Sequence, residues 1–305
     1  MDRSSCRKPQ VWLWAALLPL IGGCLQPGLR GSGAALTPAR DGRVSAVDTN
    51  LVGGEPAESF DLPRGQLMIH SNFYLPPTHP LIEDVVALRA DIFGVLGGEP
   101  GTEPIHVHLF RSPEDLARIV QQTGDPILQR RAYFLQTAHH LRVYASWTYD
   151  IGIDLRHELT HGYLHSVRPN IPLWLDEGLA EYFETPRSER GRHADHLAHL
   201  AELHRSGKLN LDLDRLEQSR DPASFEQRDY AMSWLWVAFL LSHPDKSDML
   251  AQYFRNLPTE GSNFPSLSSQ LKQRWPDLQQ RVSEFLEQRI RSGGAGVVVP
   301  GQTNS

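Results

Sequence analysis

His157-Glu158-Leu159-Thr160-His161, followed sixteen positions after His161 by Glu177 within Trp174-Leu175-Asp176-Glu177-Gly178-Leu179-Ala180-Glu181, decides how this 305-residue chain is read. On an α-helix, two histidines four apart share a face, roughly 40° apart around the axis and about 6 Å along it. Both imidazoles then reach one metal ion, at Zn–N distances of about 2.0–2.1 Å. Glu158 directly follows the first histidine and is placed to act on a metal-bound water. Glu177, from a second helix, supplies a third ligand, and the fourth position stays open to solvent, as a catalytic zinc site requires. Pro169 and Pro172 lie between the two segments and force a turn, because proline does not continue a helix.

The downstream segment is otherwise apolar: Leu173, Trp174, Leu175, Leu179, Ala180, Tyr182 and Phe183 read as a buried helix. Carboxylates in such a helix need partners, because an unpaired buried charge is costly. Taken together, H-E-L-T-H and W-L-D-E-G-L-A-E-Y-F resemble the gluzincin metallopeptidases, and more narrowly the peptidase MA-like domains of bacterial lipoproteins and envelope proteins. The resemblance is strongest over roughly 140–245. It implies that His157 and His161 are the histidine ligands and Glu158 the general base. It also implies that Glu177 is the glutamate completing the site, and that Glu181 hydrogen-bonds a ligand histidine and fixes its tautomer. Position alone does not separate Glu177 from Glu181, which lie four apart on one face; the resemblance favours Glu177, with Gly178 leaving room beside it. The Tyr230-Ala231-Met232-Ser233-Trp234 segment resembles a Y-A-x-S-W stretch of the same group, which makes Tyr230 a candidate oxyanion donor. An ordinary packing tyrosine is the other reading of that position. The spacing from the motif to the third ligand is shorter than in the best-known aminopeptidases, so their substrate preference does not carry over.

The expected fold is α+β and zincin-like: a small mixed or antiparallel sheet, then a helical half carrying the H-E-x-x-H helix. Strands are expected at Leu67 to Tyr74, Ile105 to Phe110, 132–136 and 141–147. The apolar period over 79–97 reads as a helix stopped by Gly97-Gly98. Ser112 and Pro113 open another, as N-cap and first helical residue. The catalytic helix is expected from near Asp150 or Asp154 to near Ser166. His106 and His108 alternate onto one strand face, which reads as a polar sheet face. His165 continues the i, i+4 series past the two ligands and reads as a packing or surface residue. His193, His196, His199 and His204 read as the solvated face of a helix at 193–205. The strand at 141–147, just before the catalytic helix, is the candidate edge for pairing with an extended peptide, with an interior position as the alternative. Tyr230 to Leu241 is strongly apolar but too short for a membrane span, so it reads as a buried helix.

The amino terminus points to a location. A basic segment with Arg3, Arg7 and Lys8 precedes an apolar run from Val11 to Leu20, and Ile21-Gly22-Gly23-Cys24 is similar to a bacterial lipobox. The expected organisation is a signal peptide over 1–23, a flexible tether over 24–65, a peptidase domain over 66–291 and a disordered tail over 292–305. A lipid on Cys24 would anchor the chain without a transmembrane helix, and Leu25 after it favours the outer membrane, facing the periplasm. Formal charge is −6, and losing Arg3, Arg7 and Lys8 with Asp2 leaves the remainder two charges more negative, which argues against nucleic acid as a partner. Cys6 and Cys24 are the only cysteines, so no disulfide is expected in the mature chain. The expected function is a Zn²⁺-dependent, membrane-tethered peptidase acting on peptide or protein substrates. The alternative is a catalytically silent metal-binding lipoprotein serving as an envelope scaffold or assembly factor.

Overall fold

A computed structural model describes residues 12–14, 60–123, 130–137, 139–258 and 264–292, with the side chains of all but 12–14 and 121–123. The fold is α+β, a mixed sheet followed by a helical half. Five strands lie within the first half of the domain: β2 (Phe60–Arg64), β3 (Leu67–Ser71), β4 (Ile105–Phe110), β5 (Ala132–Gln136) and β6 (Leu141–Ser146). A further strand, β1 (Trp12–Trp14), pairs antiparallel with β5 and completes the order β1-β5-β6-β4-β3-β2. β3, β4 and β6 run parallel, while the β2–β3 and β5–β6 pairs are antiparallel.

Alternation assigns the two faces of this sheet. Ile105, Val107 and Leu109 of β4 are buried in the main core, and His106, His108 and Phe110 point the other way. On the core face, α3 (Ile151–His165) lies across β5 and β6 with α1 (Pro80–Leu96) beside it. The opposite face carries α2 (Pro113–Thr123), whose Leu116 and Val120 cover Tyr133, Phe110 and Tyr144. Local signals set the ends of these helices. The His79 side chain accepts the N–H of Leu81 ahead of Pro80, and Gly97 at φ 64° stops α1. Ser112 Oγ accepts the Asp115 N–H and caps α2.

The helical half comprises α4 (Leu173–Phe183), α5 (Ala194–Arg205), α6 (Leu213–Gln218), α7 (Gln227–Leu240), α8 (Pro244–Arg255), α9 (Leu267–Arg274) and α10 (Leu278–Arg291). The most extensive helix–helix contact is α4 on α7. Gly178 makes it possible: a Cβ there would sit 2.6 Å from the Ser233 carbonyl oxygen. The room at this glycine is therefore occupied by the α7 backbone, not left beside Glu177. No helix among the described residues is long and apolar enough to cross a membrane.

Two boundaries differ from the sequence expectation. β2 falls in the stretch read as tether, so the folded domain begins by Phe60, closed onto β3 through Gly65 at φ 57°. β6 is interior, hydrogen-bonded to β4 on one side and β5 on the other, so it offers no free edge to a peptide. Cys24, the rest of the tether and the tail beyond Ser292 lie outside the described residues.

Candidate metal centre

The helix that carries the motif is buried on nearly every side, from Asp154 to His165. Burying a helix this polar demands partners for its charges, and most of them have one. Arg131 pairs with Asp150 and, at 2.9 Å, with Asp154. Arg156 reaches Asp84 of α1 at 2.7 Å and donates from Nε to the Glu184 carbonyl, the cap of α4, at 2.5 Å. The Tyr163 hydroxyl donates to the Val85 carbonyl at 3.0 Å. These bonds fix α3 both in rotation and along its axis.

His157, His161 and Glu177 converge between α3 and α4, each at most 1% exposed. The two Nε2 atoms are 3.3 Å apart, and Glu177 Oε2 lies 3.7 Å from one and 3.8 Å from the other. Each ring has its other nitrogen on a carboxylate: His157 Nδ1 is 2.8 Å from Glu184 Oε2, and His161 Nδ1 is 3.1 Å from Asp176 Oδ1. With each Nδ1 beside a carboxylate, both Nε2 atoms are left facing the same point. Neither oxygen of Glu177 has a hydrogen-bond partner among the described residues. Three lone-pair donors thus face one another with separations close to the about 3.4 Å edge of a tetrahedron built on about 2.0–2.1 Å bonds. The donor set fits a divalent metal ion, and the buried His, Glu and Asp groups here could hold one.

The electrostatics follow from burial against pairing. For His157, burial favours the neutral ring, but Glu177 and Glu184 outweigh it and raise the pKa well above the usual imidazole value. For His161, burial is likewise outweighed, by Asp176 and Glu177, and its pKa is also raised. Burial lifts the carboxyl of Glu158, and the like charge of Glu177 adds to the rise against His157, His161 and Arg130. A carboxylate lifted in this way is a better proton acceptor near neutral pH. Glu158 follows His157 on α3, 4% exposed, with Oε2 making no hydrogen bond among the described residues.

Other expected residues are placed differently. Glu181 does not hold His157; that bond is made by Glu184, one turn further along the same face of α4. Glu181 instead accepts from His196 Nε2 at 2.8 Å and lies 3.3 Å from His193 Nε2. Burial works against ionisation of Glu181, and these two imidazoles overcome it, so its pKa falls well below the usual range. His193 and His196 are therefore not a solvated helix face. His196 is buried and His193 half-buried, and the carboxylates of Glu181 and Glu184 push the pKa of His193 up to about 10 against the effect of burial. His204 of the same helix is exposed, as expected. His165 is a buried packing residue, bridging Asp176 Oδ2 and Gln136 Oε1 of β5, each at 2.8 Å. Tyr230 is buried at the start of α7 with its ring against Phe225. Arg130 stands just before β5; burial lowers its pKa, while the charges of Glu158, Tyr230 and Glu177 act in the opposite direction.

Asp176, Glu184, His193, His196 and Arg130 are the site residues that reading the sequence missed. One signal was present: Glu177, Glu181 and Glu184 stand at i, i+4 and i+7, a single helical face. No family model matches the chain, and no curated protein matches it in sequence.

Proposed function

We propose that this chain is a zinc-dependent peptidase of the gluzincin type. The observation that carries the reading is the convergence of His157 Nε2, His161 Nε2 and Glu177 Oε2 on one point, with Glu158 alongside. Two imidazoles and a carboxylate suit zinc better than the oxygen-seeking cations. When bound there, the ion supplies Lewis acidity toward a water and the scissile carbonyl. Glu158 takes the proton of the attacking water and returns it to the leaving amine. Asp176 and Glu184 keep the two ligand imidazoles in the tautomer that leaves Nε2 unprotonated. Tyr230, with Arg130 as an accompanying cation, is the candidate to stabilise the negative charge of the tetrahedral intermediate.

An extended substrate fits the outer edge of β5, because β6 has both its edges filled. β1 occupies that edge, and it lies within the segment read as a signal peptide. Release of residues 1–23 would therefore open β5 to peptide pairing. Membrane attachment through Cys24, at the outer membrane and facing the periplasm, belongs to the same proposal and rests on the lipobox-like Ile21-Gly22-Gly23-Cys24. Glu158→Gln tests the reading: it should retain zinc at wild-type stoichiometry while turnover of a peptide library falls at least a hundredfold. Wild-type turnover in that variant would remove Glu158 from the reaction. Zinc binding with no cleavage by the wild type would favour the silent envelope scaffold instead.

A further inference from the structure

Glu184 is held from three sides. Its carbonyl accepts from Arg156 Nε, its Oε2 faces His157 Nδ1 at 2.8 Å, and its Oε1 faces His193 Nε2 at 2.8 Å. His193 is itself fixed. It is the N-cap of α5, and its Nδ1 accepts the backbone N–H of His196 at 3.2 Å. Its ring stacks on that of His196, with centroids 3.6 Å apart, and both rings lie near Trp234 of α7. A ring that accepts at Nδ1 carries its proton on Nε2, the atom turned to Glu184. Protonating the ring further would still leave a proton on Nε2.

Glu181, His193 and His196 also lie close enough together to hold an ion of their own. Their geometry argues against it. A nitrogen that carries a proton has no lone pair for a metal. The contacts of 2.8 Å from His193 to Glu184 and from His196 to Glu181 are hydrogen-bond lengths. The three donors around His157, His161 and Glu177 stand wider, 3.3 to 3.8 Å apart.

Resting on the reading of His157, His161 and Glu177 as zinc ligands, we propose that His193 is a positioning residue of that centre. By donating Nε2–H to Glu184 it holds the other oxygen of that carboxylate on His157 and so sets the zinc affinity. The start of α5 thereby becomes part of the metal site, although no residue of α5 reaches the ion. Glu181 braces the clamp from its other side, through His193 and His196.

Two substitutions separate the clamp from the helix cap, which uses the other nitrogen of the same ring. His193→Asn keeps a good N-cap but is too short to reach Glu184. His193→Gln is a poor cap but carries an N–H donor at greater reach. Zinc affinity is measured on the full chain by competition with a chromophoric chelator, alongside the visible spectrum of the cobalt-substituted protein and the metal stoichiometry. The expected result is one zinc per chain, a loss of affinity of about ten- to a hundredfold in His193→Asn with an altered cobalt spectrum, and substantial recovery in His193→Gln. The reverse order, with Asn close to wild type and Gln weak, would reduce His193 to a cap and overturn the clamp. Two zinc ions per wild-type chain, one of them lost in both variants, would overturn it in favour of a second ion. His157→Ala marks the layer beneath: if it binds zinc as the wild type does, the ligand set itself is wrong. If it loses zinc while His193→Asn does not, only the clamp fails.

Discussion

Two regions of this molecule gather histidines, and they treat them in opposite ways. On the outer face of the sheet, one row of side chains crosses five strands in register: Asp61, His70, His108, Tyr144 and Tyr133. His108 stacks between His70 at 4.9 Å and Tyr144 at 4.8 Å, and His106 packs beside His70. The carboxylate nearest this row, Asp61, bonds His70 at one end. Burial, then neighbouring imidazoles and Arg142, lower the pKa of His106, and the same causes bring that of His108 down to about 3. At the candidate metal centre every imidazole faces a carboxylate: Glu184 for His157 and His193, Asp176 for His161 and His165, Glu181 for His196. There burial is at least as deep, yet the pKa values of His157 and His161 rise. Burial alone therefore does not decide what a histidine does; the carboxylate behind it does. One region is a stacking surface with a carboxylate only at its end, the other a centre in which each imidazole faces a carboxylate.

The largest test of that contrast removes the carboxylate with no hydrogen bond of its own. Glu177→Leu should lose zinc binding, since one of three donors is gone. In chelator-treated protein Glu177 Oε2 lies 3.7 and 3.8 Å from Nε2 of His157 and His161, so removing it leaves those imidazoles short of a counter-charge and should lower stability by about 3–5 kcal/mol. Excess zinc should raise the melting temperature of the wild type and leave that of the variant unchanged. A zinc-dependent rise of the same size in the variant would mean that Glu177 faces no cation. A second test attacks the depth of the centre. In Gly178→Ala the added carbon meets the Ser233 backbone, which cannot swing aside, and α4 must move off α7. A loss of about 1–3 kcal/mol is expected from such overpacking, with weaker zinc binding as Glu177 shifts alongside. A change within 0.5 °C of wild type in melting temperature, roughly 0.2 kcal/mol at this size, would put the close approach in doubt.

Much of this arrangement could be read from residue order, and the parts that could not share a cause. The helix at Pro80–Leu96 announced itself through its apolar period and Gly97; α3 and α4 did so through the motif and the prolines between them. His157, His161 and Glu177 were legible because their spacing is fixed by one helix and one reversal. The strand at Phe60–Arg64 was not, because five residues containing Asp61 and Pro63 make a poor strand pattern at a sheet edge. The interior position of β6 depends on β4, more than thirty residues earlier, and local alternation cannot report it. His193 and His196 looked solvated because their acids, Glu181 and Glu184, belong to a different helix. The break at Trp275, which separates α9 from α10, follows from Pro276 and the extended backbone before it. Pairings between elements, rather than the elements themselves, were what the sequence concealed.

The last test isolates the outer row. His108 is held neutral in the folded state, with a pKa of about 3, against the ordinary imidazole value of 6.5 when unfolded. Below 6.5 the unfolded chain binds a proton that the folded one refuses, so stability falls with pH until about 3 and is fully present above 6.5. Its slope from this one group cannot exceed about 1.4 kcal/mol per pH unit. At His157 and His161 the sign is reversed in chelator-treated protein: their raised values stabilise the fold below 6.5, and that stability is lost as pH rises through the folded pKa. His108→Phe keeps a ring in the stack between His70 and Tyr144 and removes the titration. Denaturant melts of the chelator-treated protein between pH 4 and 6.5 should show a shallower acid-side decline in this variant than in the wild type, with the alkaline side unchanged. Parallel curves across that window would mean that His108 is protonated in the fold after all, and the two regions would then differ in packing rather than in charge.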